Sequence, residues 1–186
     1  LLAAAGGALL PGLYTWFTTG AADSLVAARG CVAGVIAATA AASLIPPWAA
    51  LALGGAAGLL VPLVTFVVRY VLRIDDPTGA LPVGLPAGVL GILAPGLVAD
   101  GQAGQGWNGI GVESYLGVAG QGITGFIPAP GLASDWPGQI NAQLVGMAAI
   151  AAWTAAAVAI LFLVLKVLLV LWRYVPAPEE EDDLEP

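Results

Sequence analysis

Few side chains in this sequence could do chemistry. It contains no His and a single Cys, Cys31. Imidazole proton transfer, an internal disulfide and any multi-cysteine metal site are therefore excluded. Outside the C-terminal tail, the one pair of adjacent carboxylates is Asp75-Asp76, followed by Pro77 and Gly79. Carboxylates just before an apolar helical run suit the free N–H groups and positive dipole end of a helix start. Asp75 and Asp76 are therefore expected to be helix caps. Cys31 lies in an apolar run between Gly30 and Gly34 and is expected to be a small packing residue. Two G-x-G-x-x-G matches occur, at Gly104, Gly106 and Gly109 and at Gly120, Gly122 and Gly125. A dinucleotide fingerprint needs a strand before it and a helix directly after it. Neither match has that setting, so no cofactor is expected. No catalytic set can be assembled, and an enzyme is not expected.

The elements that would carry these residues are membrane spans. Apolar residues make up 59% of the chain and charged residues 9%, against about 45–50% and about 25% in soluble domains. Uncharged apolar runs long enough to cross a bilayer recur up to the C-terminus. That continuation rules out a signal peptide as their source. The pattern predicts an all-α integral membrane protein with five helices, at about 1–18, 29–45, 47–73, 78–98 and 139–173. Residues 99–138, rich in Gly and Pro and without Lys or Arg, read as an ordered extracytoplasmic loop. A membrane domain over 1–175 is then followed by an acidic cytoplasmic tail at 176–186. Six of the twelve acids lie between Glu179 and Glu185, so six acids face five bases in the rest of the chain.

Charge placement gives an orientation. Arg29, Arg69, Arg73, Lys166 and Arg173 all fall on one side of this arrangement, and the loops on the other side carry none. The positive-inside rule places that side in the cytoplasm. The expected topology is a multi-pass protein of the plasma (inner) membrane, N-terminus outside and C-terminus inside. Small residues recur at four-residue spacing, as Gly30 with Gly34, Gly54 with Gly58 and Gly84 with Gly88. Such pairs let helix backbones approach closely in lipid, and all six are expected packing positions.

The stretch from Arg73 to Gly96, RIDDPTGALPVGLPAGVLGILAPG, resembles the tenth transmembrane helix of the Amt/Mep/Rh ammonium transporters, where D-D-P-x-G-A leads into V-H-G-x-x-G. The resemblance extends along nearly the whole chain, from the family's seventh helix to the start of its tail. Leu1 to Gly7 is similar to the middle of the seventh helix. Arg29 to Ala37 resembles the N-G-x-L-A-G-L-V-A segment, and Pro47-Trp48-Ala49-Ala50 the turn that follows it. Gly106-Trp107-Asn108-Gly109 and Tyr115 to Gly125 are similar to the wet segment before the eleventh helix. Gly138 to Gly146 resembles that helix's P-G-Q-x-x-A-Q-x-x-G opening.

Two departures bear on function. The resemblance implies that only the family's second half is present, without the external cation site, the phenylalanine gate or the first pore His. It also implies a second pore His at the position of Gly84, where no side chain can accept a proton. Pro82, Pro86 and Pro95 are expected to break the fourth span. Together these features favour a non-transporting structural or accessory subunit of a larger membrane complex. Its partners would be other integral membrane subunits and lipid, with no nucleic acid. The alternative is part of an ammonium or ammonia channel, as the C-terminal half of a longer or split transporter. Residue 1 is not Met and already lies in an apolar run, so six helices could precede it.

Overall fold

The computed structural model describes residues 1–103 and 116–173. Five helices follow one another: α1 (Leu2–Thr19), α2 (Ser24–Thr39), α3 (Pro47–Phe66), α4 (Ala80–Val98) and α5 (Trp136–Arg173). α3 continues through a π-helical turn, Val67–Val71. By length and composition, Pro47–Val71, Ala80–Val98 and Trp136–Val170 can each cross a membrane. α2 is a shorter apolar helix of 16 residues, or about 24 Å at 1.5 Å per residue.

Helix starts follow local capping chemistry. The Asp23 carboxylate accepts hydrogen bonds from the Leu25 and Val26 amides at 2.8 and 3.2 Å. Its own amide donates to the Thr15 hydroxyl at 3.0 Å. This cap starts α2 five residues before the Arg29 boundary expected from sequence, because a side-chain acceptor can begin a helix inside a polar stretch. α2 also ends earlier than expected, at Thr39, and residues 40–44 form a turn. Pro47 starts α3 at the first helical position, where its missing N–H costs no bond.

Backbones in the bundle touch because their glycines coincide. A Cβ added to Gly34 or Gly54 would run into the Ala3 carbonyl oxygen of α1, and one added to Gly30 or Gly58 into that of Gly7. α1 thus lies in a groove of small residues between α2 and α3, the arrangement that lets dispersion contacts hold helices in lipid. α4 closes against the other side of α2 and α3. Ala33, Ala37, Ala57, Val61 and Ala87 form one buried cluster, and Ala41, Ile45, Ala49 and Ala94 a second.

α4 is continuous from Ala80 to Val98; the expected breaks at its prolines do not occur. Pro82 sits in the first turn, where N–H groups have no intrahelical partner. Pro86 and Pro95 each remove one donor, and the helix runs on through both.

Residues 116–135 fasten to the end of α4. The Phe126 and Ile127 amides donate to the Gly96 and Leu97 carbonyls at 3.0 and 3.2 Å, satisfying two of the free carbonyls at that helix end. Gly125 lies where a Cβ would come within 2.6 Å of the Pro95 carbonyl oxygen. Behind this junction Gln121 and Thr124 are fully buried. The Gln121 amide exchanges two 2.8 Å hydrogen bonds with the Ala133 backbone, and the Thr124 hydroxyl donates to the Ala133 carbonyl at 2.7 Å.

The chain divides into two compact units, Leu1–Met147 and Ala148–Pro186. α5 begins in the first, where Trp136 meets Phe126 edge to face at 5.7 Å. In the second unit its side chains from Ala148 to Val170 are all exposed.

Candidate functional site: the hinge and open face of α4

The hinge between α3 and α4 is held by a single carboxylate. Asp76 Oδ1 accepts from the Thr78 hydroxyl at 2.9 Å and from the Gly79 and Ala80 amides at 3.0 and 3.3 Å. Oδ2 accepts from the Leu81 amide at 2.9 Å. These donors, the Leu81 amide foremost, hold the Asp76 carboxyl below its ordinary pKa. Asp75, expected to share the capping, makes no hydrogen bond among the described residues. It lies one position too early for its oxygens to meet the helix-start amides, and it lines a neighbouring cavity instead.

Gly79 is left-handed, at φ +74°, a conformation that favours glycine. Its open side is filled by Arg29, whose guanidinium carbon lies 2.7 Å from where a Cβ would be. Arg29 Nη2 also donates to the Thr78 carbonyl at 3.3 Å. The start of α2 is thereby tied to the hinge. In the sequence Arg29 signals only orientation, since a tether 49 residues along the chain leaves no local trace.

The six glycines expected at packing positions divide into two groups. Gly30, Gly34, Gly54 and Gly58 pack against backbone, as described above. Gly84 and Gly88 face open space, and a Cβ at either would meet nothing within 4 Å. Leu81, Leu85 and Val89 stand exposed beside them. Pro82, Ala87, Gly91 and Ala94 of the same helix are buried. α4 therefore presents one packed face and one open face of small and aliphatic residues, with no ionisable group anywhere between Ala80 and Val98.

The remaining candidates carry no chemistry here. Gly120, Gly122 and Gly125 lie in the loop that clamps α4, bridged at Thr124 to Asp100, without the strand-to-helix setting of a nucleotide site. Gly104, Gly106 and Gly109 lie outside the described residues, as does the acidic tail. Cys31 is half-buried. Among the described residues no group of His, Cys, Asp or Glu could hold a metal ion.

Among the described residues, five helices, three of them apolar enough to span a bilayer, make this a multi-pass integral membrane protein. Its family follows from comparison with known proteins. The family model described as Ammonium Transporter Family matches residues 1–185, and the chain belongs to that family. It is 35% identical over 105 residues to "Ammonium transporter Amt2" of Archaeoglobus fulgidus, covering 55% of this chain and 22% of that protein. It is 42% identical over 92 residues to "Ammonium transporter Amt2" of Haloferax mediterranei, covering 50% of this chain and 20% of that protein. The fold is similar to that of Saccharomyces cerevisiae Mep2, with a TM-score of 0.65 at 24% identity over 88% of this chain and 33% of Mep2. The G343C mutant of Candida albicans Mep2 gives a TM-score of 0.67 at 25% identity, again over 88% of this chain. The chain thus spans about a third of the length of these solved relatives.

Proposed function

We propose that the chain forms the second half of an ammonium- or ammonia-conducting bundle, with the Gly84–Gly88 face of α4 lining the passage. The observation that carries this reading is membership of the Ammonium Transporter Family along residues 1–185. Relatives named as ammonium transporters support conduction, the alternative held open from sequence. The accessory-subunit reading, drawn from the missing first half, Gly84 and the prolines of α4, gains no support from the relatives or the fold.

The open face argues for the form of the substrate. An ion entering an apolar passage loses its hydration, at a cost of several kcal/mol. Gly84 has no side chain to exchange a proton with the solute. Along α4 the passage therefore suits neutral ammonia better than the ammonium ion. The charge asymmetry supports an orientation with the hinge in the cytoplasm and residues 116–135 outside.

The test is methylammonium uptake in cells without ammonium transporters, expressing the complete open reading frame that contains this chain. Uptake above an empty-vector control is expected, and Gly84→Leu should abolish it. Nothing in this chain stands within 4 Å of a Cβ at Gly84, so the substitution adds bulk to the open face while leaving this chain's own packing intact. Uptake at the empty-vector level, with the protein present in the membrane, would return the accessory reading to first place.

A further inference from the structure

A cavity of about 240 Å³ opens at the hinge, lined by Arg29, Arg69, Asp75, Asp76, Gly79 and Pro82 among others. It lies between the end of one candidate span, Val71, and the start of the next, Ala80. That position puts it at a membrane boundary, where lipid headgroups lie. Its volume falls below the roughly 300–1,000 Å³ of drug-sized pockets. That is the scale of one small polar group.

The charges that face it have opposite signs and are only partly used. Asp76 is committed to the start of α4. Asp75 has no hydrogen bond or ion pair among the described residues. Among the described residues Arg69 makes only a ring contact, 6.0 Å from the centre of Tyr70, and Arg29 spends one of its five N–H donors on Thr78. A lone anion would meet the carboxylates, and a lone cation the guanidiniums. A small zwitterion satisfies both. Beside the cavity Phe66, Val67, Val71, Leu72 and Ile74 stand exposed, an apolar surface against which acyl chains can lie.

We propose that this cavity binds the headgroup of a primary-amine zwitterionic phospholipid, its phosphate on Arg69 and Arg29 and its ammonium on Asp75. Guanidinium and phosphate form strong charge-assisted hydrogen bonds. A primary ammonium can donate to the Asp75 carboxylate, which a quaternary ammonium cannot do. The site is independent of conduction and of the open face of α4.

Native mass spectrometry of the protein in mild detergent, titrated with short-chain lipids, tests the proposal. Phosphatidylethanolamine should bind saturably at one site, about fivefold more tightly than phosphatidylcholine or phosphatidylglycerol, the size of one partly solvated ion pair. Asp75→Asn should reduce phosphatidylethanolamine to the phosphatidylcholine level and leave phosphatidylcholine unchanged. Arg69→Gln should weaken both, whereas a merely unfolded variant would lose every lipid and its thermal transition together. Glycerophosphoethanolamine, which has no acyl chains, should compete poorly. Equal or tighter binding of phosphatidylglycerol, indifference to Asp75→Asn, or competition by glycerophosphoethanolamine as strong as the lipid's would each overturn the proposal.

Discussion

At the scale of single residues, Asp76 and the glycines make the sharpest demands. The Asp76 carboxyl is held below its ordinary pKa of 3.8 by the amides it accepts from. A depressed carboxyl adds stability that is complete above its unfolded-state pKa and is lost as pH falls through the folded value. Thermal transitions of the wild type and Asp76→Asn should therefore differ most above about pH 5 and converge below about pH 3.8. A gap that stayed constant across that range would show that the ionised form is not what holds the hinge. The glycines predict opposite responses to one methyl group. Gly34→Ala drives a Cβ into the Ala3 carbonyl, an overpacking that typically costs about 1–3 kcal/mol. Gly84→Ala meets nothing and replaces a poor helix former, which favours the helix by up to about 1 kcal/mol. Melting temperatures in detergent should fall for the first and hold or rise for the second.

At the scale of elements, apolar runs and turn residues mark the helices plainly, because a bilayer leaves few other ways to satisfy a backbone. α3 and α4 lie where those runs place them. The start of α2 is set by the Asp23 cap, a polar residue outside the apolar run, whose own amide is held by the Thr15 hydroxyl. The continuity of α4 through Pro86 and Pro95 was not legible, since proline's effect depends on whether packing on α2 and α3 holds the helix together. The buried loop clasp left no pattern at all: Gln121 and Ala133 are twelve residues apart, and nothing local pairs them. That clasp carries its own prediction. Gln121→Ala leaves the half-buried Ala133 amide without its acceptor, a loss of about 1 kcal/mol. Hydrogen exchange should quicken at Gly122, Gly125 and Phe126, whose amides fasten the loop to α4 and the residues just after it. Protection unchanged from the wild type would mean that the backbone bonds alone hold this junction.

At the scale of the whole molecule, charge and packing meet at the hinge. Arg29 and Asp76 both hold it, so the start of α2 and the start of α4 share one end of the bundle. Residues 116–135 lie at the other end of α4, fixed to Gly96 and Leu97. The basic residues described at the hinge end, Arg29, Arg69 and Arg73, have no counterpart near the loop, since no Lys or Arg occurs between residues 74 and 165. The positive-inside rule counts this kind of short, juxtamembrane charge. It predicts that a cysteine at Ser134 reacts with a membrane-impermeant maleimide added to intact cells, while one at Glu181 reacts only after the membrane is opened. Cys31→Ala supplies the background, removing the chain's one native thiol. Ser134 donates to the Gly125 carbonyl at 2.7 Å, so Ser134→Cys weakens one loop contact, and its labelling should be slow but complete. Labelling of position 134 only from the cytoplasmic side would invert the bundle, and with it the face from which the hinge cavity and the open side of α4 are reached.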